Sequence, residues 1–200
     1  MSKKAVNLLF TGVGGQGVLL ISEIAARVFL KSGYDVKTSA LHGIAQRGGT
    51  ILSHVRAGER IYSPLIPYGT VDIVVGMELS EAARQAWKIK KGGLILYTDR
   101  QVPSSRQNRT TCYSSMSLKN IIREKCPKAV GISYEESVKL LKDEKTLNLF
   151  ILGMLSNYFS LRREYWIEII EQSIPFHMKK KNVIAFEAGN KNFNDIKIRK

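Results

Sequence analysis

Cysteine is nearly absent from this 200-residue chain, and the two it has, Cys112 and Cys126, form neither a CxxC pair nor a longer ligating array. That spacing supplies no ligand set for a structural zinc or an iron–sulfur centre, and it suits a cytoplasmic protein better than a secreted disulfide scaffold. Histidine is equally sparse. His42, His54 and His177 lack metal-ligand spacing, and serines such as Ser53 and Ser63 stand outside any nucleophile-elbow context. Long apolar runs are missing too. The run after Lys4 ends within about six residues at Thr11 and Gly12, too short for a membrane span or a signal peptide's apolar region. Acidic residues are the last shortage: 17 Asp and Glu face 31 Lys and Arg, a formal charge of +14.

Such a surplus asks for an anionic partner, and its distribution narrows the choice. Residues 1–100 carry 13 basic against 7 acidic side chains and residues 101–200 carry 18 against 10, so the excess is spread along the chain. Only Lys179–Lys181 and the Lys197–Lys200 end form basic clusters, and no nucleic-acid recognition motif accompanies them. Neither nucleic acid nor membrane is expected as a partner. A content of 44% hydrophobic and 24% charged residues is that of an ordinary globular protein, and the length suits a single domain spanning 1–200.

What is present begins with a strand, a glycine-rich turn and a helix. Residues 5–10 read as a buried strand, and Val18, Ile21, Ala25, Val28 and Phe29 line an apolar helical stripe that Gly33 closes. Residues 36–40 read as a second strand, which the helical crossover makes parallel to the first. A glycine-punctuated stretch follows, with alternation at Ile51, Ser53 and Val55 and a hairpin expected around 57–60. Strands at 71–77 and 94–97 flank a helix from Glu81 to about Ile89 that Gly92 and Gly93 should terminate. A polar segment, a helix near 118–124 and a strand at 130–133 come next. Helices then occupy 147–159, 164–172 and a lysine-rich segment ending near Gly189. The class is α/β: a Rossmann-like open, mostly parallel sheet flanked by helices, with a helical C-terminal part.

Gly12, Gly14 and Gly17 match G-x-G-x-x-G between that first strand and helix, in the run Gly12-Val13-Gly14-Gly15-Gln16-Gly17. Glycines there permit a tight turn and let backbone N–H groups and the positive end of a helix approach a phosphate. The same run also serves as a tight strand-to-helix turn with no ligand. A nicotinamide dehydrogenase would carry an acid at the end of the second strand, where this sequence has Thr38, Ser39 and Ala40; Asp35 stands at the wrong end. The stretch from His42 to Gly49 is the second distinctive run, and Gln46 and Arg47 within it are binding candidates. Arg47 suits a phosphate or carboxylate in fork geometry, or a local acid that stiffens the loop.

These runs, with Ser53-His54-Val55-Arg56, Tyr62-Ser63-Pro64-Leu65-Ile66-Pro67, Asp72, Glu78 and the segment from Asn148 to Gly153, resemble the gamma-type domain of 2-oxoacid:ferredoxin oxidoreductases over nearly the whole chain. Within that family the Tyr62–Pro67 run and the chain length are most similar to the beta subunits of the indolepyruvate branch. The resemblance implies a small non-redox subunit, inactive alone, of an enzyme that oxidatively decarboxylates arylpyruvates to aryl-acetyl-CoA and reduces ferredoxin. It implies thiamine diphosphate and iron–sulfur clusters on a large alpha subunit, with coenzyme A shared in the complex. Gly12, Gly14, Gly15, Gln16, Gly17, Gln46 and Arg47 carry over as binding or interface residues, with no catalytic residue and no metal ligand on this chain. A gamma subunit acting on pyruvate or another 2-oxoacid, and a free-standing nucleotide-binding module, are the alternatives.

Overall fold

The computed structural model describes residues 4–42, 49–102 and 114–198. Those residues form a six-stranded sheet in the order β2-β3-β1-β4-β5-β6, covered by helices on both faces. The strands are β1 (Val6–Val13), β2 (Asp35–His42), β3 (Thr50–Gly58), β4 (Val71–Gly76), β5 (Ile89–Thr98) and β6 (Val130–Ile132). The helices are α1 (Val18–Lys31), α2 (Leu79–Gln85), α3 (Ser115–Lys125), α4 (Tyr134–Leu141), α5 (Leu147–Ser156), α6 (Arg163–Ser173) and α7 (Phe176–Ile198). The expected open, mostly parallel sheet with a helical C-terminal part is thus the architecture observed.

Alternation along the central strands divides the core in two, because successive side chains leave opposite faces of a sheet. Leu8, Phe10, Ile73, Val75 and Leu96 pack against α1, α5, α6 and α7. Leu9, Val74, Ile95 and Tyr97 pack against α2 and α3. All ten residues of α5 are buried, so this helix has no solvent face and shows no amphipathic stripe. Its Gly153 and the Gly189 of α7 let the two backbones touch: a Cβ on Gly153 would collide with the Phe186 carbonyl, and one on Gly189 with the Phe150 carbonyl.

Several local expectations give way. β1 and β2 do run in the same direction, yet β3 lies between them, antiparallel to both. No hairpin forms at 57–60. β3 takes its partners from the strands before it, and the chain leaving Gly58 is drawn back along the sheet edge when the Asp35 carboxylate accepts from Ile61 N–H at 2.7 Å. Gly92 and Gly93 do not stop a helix. α2 ends at Gln85, and the two glycines lie inside β5, where the register against β4 slips between Val71 and Ile73 and Gly92 takes φ +77°. α7 runs straight through Gly189, because that glycine is a packing contact and not a terminator.

Candidate functional site

The parallel strands β1, β4 and β5 end at one edge of the sheet, the crest, where open α/β sheets bind their ligands. The glycine turn is its centre. β1 runs on into Gly12 and Val13, and the turn then closes on itself: Gln16 N–H donates to the Val13 carbonyl at 3.2 Å, and Val13 N–H donates to Gln16 Oε1 at 2.9 Å. Gly14 N–H donates to the Gly49 carbonyl at 3.1 Å, tying the turn to the start of β3. Two of its glycines have positive φ, Gly15 at +93° and Gly17 at +72°, but their surroundings differ. A Cβ on Gly17 would collide with the Asn148 side-chain amide, whereas one on Gly15 would meet nothing within 4 Å. Gly17 is therefore a packing position as well as a turn, and Gly15 faces open space.

That open space is a cleft of about 280 Å³ lined by Gly15, Gln16, Gly17, Met77, Arg100, Glu144, Lys145, Leu147 and Asn148. Gly17 caps α1 in the left-handed conformation with no side chain bonded to the first-turn N–H groups, and no acid occupies that turn. The helix end consequently keeps its partial positive charge. Asn148 lines the cleft and is 6% exposed; its Oδ1 accepts from Leu149 N–H at 2.9 Å, and its Nδ2 stands against Gly17. The buried Gln16 Nε2 has no hydrogen-bond partner in the structure. Arg100 and Lys145 add two cations. Opposing them, Glu144 holds Arg100 at 3.8 Å and accepts from the Tyr134 hydroxyl, while the Arg100 guanidinium lies 4.7 Å from the Tyr134 ring centroid. This donor set suits a small, strongly anionic group, provided that Arg100 turns from Glu144 to meet it.

Two buried carboxyls underlie the crest. Glu78 caps α2 by accepting from Glu81 N–H at 2.8 Å, and Glu81 accepts from Thr50 Oγ1 at 3.0 Å and lies 3.4 Å from Arg84. Glu81 Oε2 is buried without a partner, and burial raises the carboxyl's pKa above the usual carboxylate range against the opposing pull of Arg84.

Of the residues singled out by sequence, the structure brings together Gly12, Gly14, Gly15, Gln16 and Gly17. Gln46 and Arg47 lie outside the described residues. Asp35 sits at the opposite edge, paired with Lys37 and Ile61 N–H, which accounts for its pKa below the ordinary carboxylate value. Arg100, Lys145 and the place of Asn148 beside the turn were not legible, since their approach to the turn comes from the folding of the chain around it. Among the described residues no group of three or more His, Cys, Asp and Glu side chains is disposed to hold a metal ion, and no helix is long and apolar enough to cross a membrane.

The second half of the resemblance lies at the other edge, the base. Arg56 donates to Asn7 Oδ1 at 3.0 Å and to the carbonyls of Ser63 and Leu65 at 2.9 and 3.1 Å, and His54 Nδ1 accepts from Ile66 N–H at 3.1 Å. The Ser53–Arg56 and Tyr62–Pro67 runs are thus one clamp. Asp72 completes it by accepting from Asn7 N–H at 2.7 Å and pairing with Lys90.

Residues 7–191 match the model of the pyruvate ferredoxin/flavodoxin oxidoreductase family. The chain belongs to that family. It is 34% identical over 180 residues to the indolepyruvate oxidoreductase subunit IorB of Archaeoglobus fulgidus, which covers 89% of this chain and 88% of the relative. Its fold is similar to the gamma subunit of a keto/oxoacid ferredoxin oxidoreductase from Geobacter sulfurreducens, with TM-score 0.68 and 17% identity over 95% of this chain and 99% of that one. It is similar also to 2-oxoglutarate:ferredoxin oxidoreductase from Magnetococcus marinus, solved with 2-oxoglutarate, coenzyme A and succinyl-CoA bound: TM-score 0.72, 18% identity, 96% of this chain and 32% of that one. The family resemblance and the gamma-type fold expected from the sequence both hold.

Proposed function

We propose that this chain is the small subunit of a 2-oxoacid:ferredoxin oxidoreductase of the indolepyruvate branch, working only in complex with a large subunit that carries thiamine diphosphate and iron–sulfur clusters. The observation that carries the reading is the 34% identity to an indolepyruvate oxidoreductase subunit over almost the full length of both chains. The cleft at the glycine turn is this chain's contribution to the shared site. Its volume falls short of a whole coenzyme A and suits a phosphate-bearing end, so the remainder of the molecule would lie against the large subunit. When bound, coenzyme A supplies the thiol that accepts the acyl group. The residues of this chain hold and orient it: the Gly15–Gly17 backbone and the α1 N-terminus receive a phosphate, Arg100 and Lys145 neutralise it, and Asn148 donates beside Gly17. Gln46 and Arg47 are further candidates on the family resemblance.

The test is reconstitution. The chain alone should show no indolepyruvate-dependent reduction of a viologen, and activity should appear on adding the large subunit. In the complex, Arg100→Ala should raise the KM for coenzyme A about tenfold or more, as expected for loss of a charge-assisted contact, while the KM for indolepyruvate stays unchanged. Turnover by the isolated chain, or a complex that turns over other 2-oxoacids in preference to arylpyruvates, would reject the assignment.

A further inference from the structure

The base of the sheet carries three exposed aromatic rings. Tyr62, Tyr68 and Trp87 are 82%, 76% and 61% exposed. Each has a cation over its face: Arg60 at 5.0 Å from the Tyr62 centroid, Lys88 at 5.6 Å from Tyr68 and Lys125 at 3.6 Å from Trp87. The rings and cations form a strip, because Trp87 and Lys88 adjoin in the chain and the Arg56 and His54 clamp fixes the loop that bears Tyr62 and Tyr68.

Charge pairing within the strip is incomplete. Lys90 pairs with Asp72 and Lys125 with Glu124, but among the described residues no carboxylate pairs with Arg60 or Lys88. Lys88 is also partly buried, which lowers its pKa, and its charge adds to burial in lowering that of His54. A cation that has lost water without gaining a counter-ion is stabilised when an outside carboxylate arrives.

We infer that this strip, centred on Trp87, Lys88 and Lys125, is a docking surface for an acidic face of the large subunit. The inference rests on the reading of the chain as one subunit of a heteromeric enzyme. Protein carboxylates are the occupant that the charges call for, because Arg60 and Lys88 have no carboxylate partner among the described residues. The strip lies at the opposite edge from the glycine turn, so the contact leaves the coenzyme cleft unobstructed.

The experiment compares wild type with the pair Lys88→Glu and Lys125→Glu, with Trp87→Ala, and with Lys180→Glu plus Lys191→Glu on α7 as a charge-matched control. Affinity for the immobilised large subunit is read at about 50 mM and about 300 mM salt, after thermal melts confirm that each variant folds. The base pair should bind at least about tenfold more weakly at low salt, with the gap narrowing at high salt, while the α7 control stays near wild type. Trp87→Ala should weaken binding at both salts. Wild-type affinity in the base variants, or an equal loss in the α7 control, overturns the docking surface. So does an unchanged affinity for the large subunit accompanied by lost binding to a single-stranded RNA oligonucleotide. Should wild type itself not bind the large subunit at either salt, the subunit assignment fails along with it.

Discussion

The glycine turn and the clamp carry the same family resemblance, yet they lie at opposite edges of one sheet and are built on opposite principles. At the crest the turn leaves donors unspent, an uncapped helix end, Gln16 Nε2 and Lys145, around a cleft where Arg100 is held by Glu144. In the clamp at the base the donors are spent inside the chain: Arg56 and His54 fasten the loop through three hydrogen bonds, and two more join Arg56, Asn7 and Asp72 behind it. Shared sequence character at two places therefore marks two different constructions, an open turn at one edge and a fixed surface at the other.

The comparison is broken most severely by filling the turn. Gly17→Ala combines positive φ with a collision against Asn148, and each element costs about 1–3 kcal/mol, so a loss of about 3 kcal/mol is expected in denaturant unfolding of the lone chain. Arg56→Ala comes next. It removes a guanidinium that satisfies two loop carbonyls and an asparagine, and about 2 kcal/mol should disappear. That variant should also weaken large-subunit binding while leaving the cleft at the glycine turn alone. Gly15→Ala meets only the backbone penalty, about 1–2 kcal/mol, because its Cβ would enter open space. Its distinguishing effect belongs in the complex, where a methyl group in the cleft should raise the coenzyme A KM more than Gly17→Ala does relative to the stability each loses. If the two glycine variants lose stability equally, Gly15 is as enclosed as Gly17 and the open crest is wrong.

Much of this was legible from pattern alone, and the exceptions have physical reasons. The crossover geometry of β1, α1 and β2 follows from an apolar run, a glycine turn and a 3.6-residue stripe, all local signals. The placement of β3 between β1 and β2 is not local. It depends on a strand arriving later, and periodicity gives no account of where a strand inserts. Gly92 and Gly93 read as helix punctuation because glycine signals positive φ without saying whether a helix end or a bulge requires it. At the site, the turn was visible as a motif. Arg100, Lys145 and Asn148 were not, since each belongs to an ordinary-looking segment that only the fold brings to the cleft.

The two edges differ last, and least in size, in their response to pH. Under the crest, burial raises the Glu81 pKa above its ordinary 4.5. The folded state then holds a proton that the unfolded state releases, so this group's contribution is fully present below about pH 4.5 and is lost as pH rises through the raised value. Near the base, burial and the Lys88 charge lower the His54 pKa below 6.5. There the unfolded state binds the proton first, so stability is undiminished above pH 6.5 and falls as pH drops from there toward the depressed value. The slopes have opposite sign and overlap on the acid side of neutrality, which masks both in the wild type. Single variants separate them. Glu81→Gln should flatten the decline on the alkaline side, leaving the His54-driven fall on acidification more visible. His54→Asn keeps an acceptor for Ile66 N–H without a titrating ring and should do the reverse. Each change is measurable as a shift in the urea midpoint at several pH values. A Glu81→Gln profile that still falls in parallel with wild type as pH rises would mean that the buried carboxyl is already ionised. The Thr50 and Arg84 contacts would then outweigh burial and hold a negative charge beneath the crest.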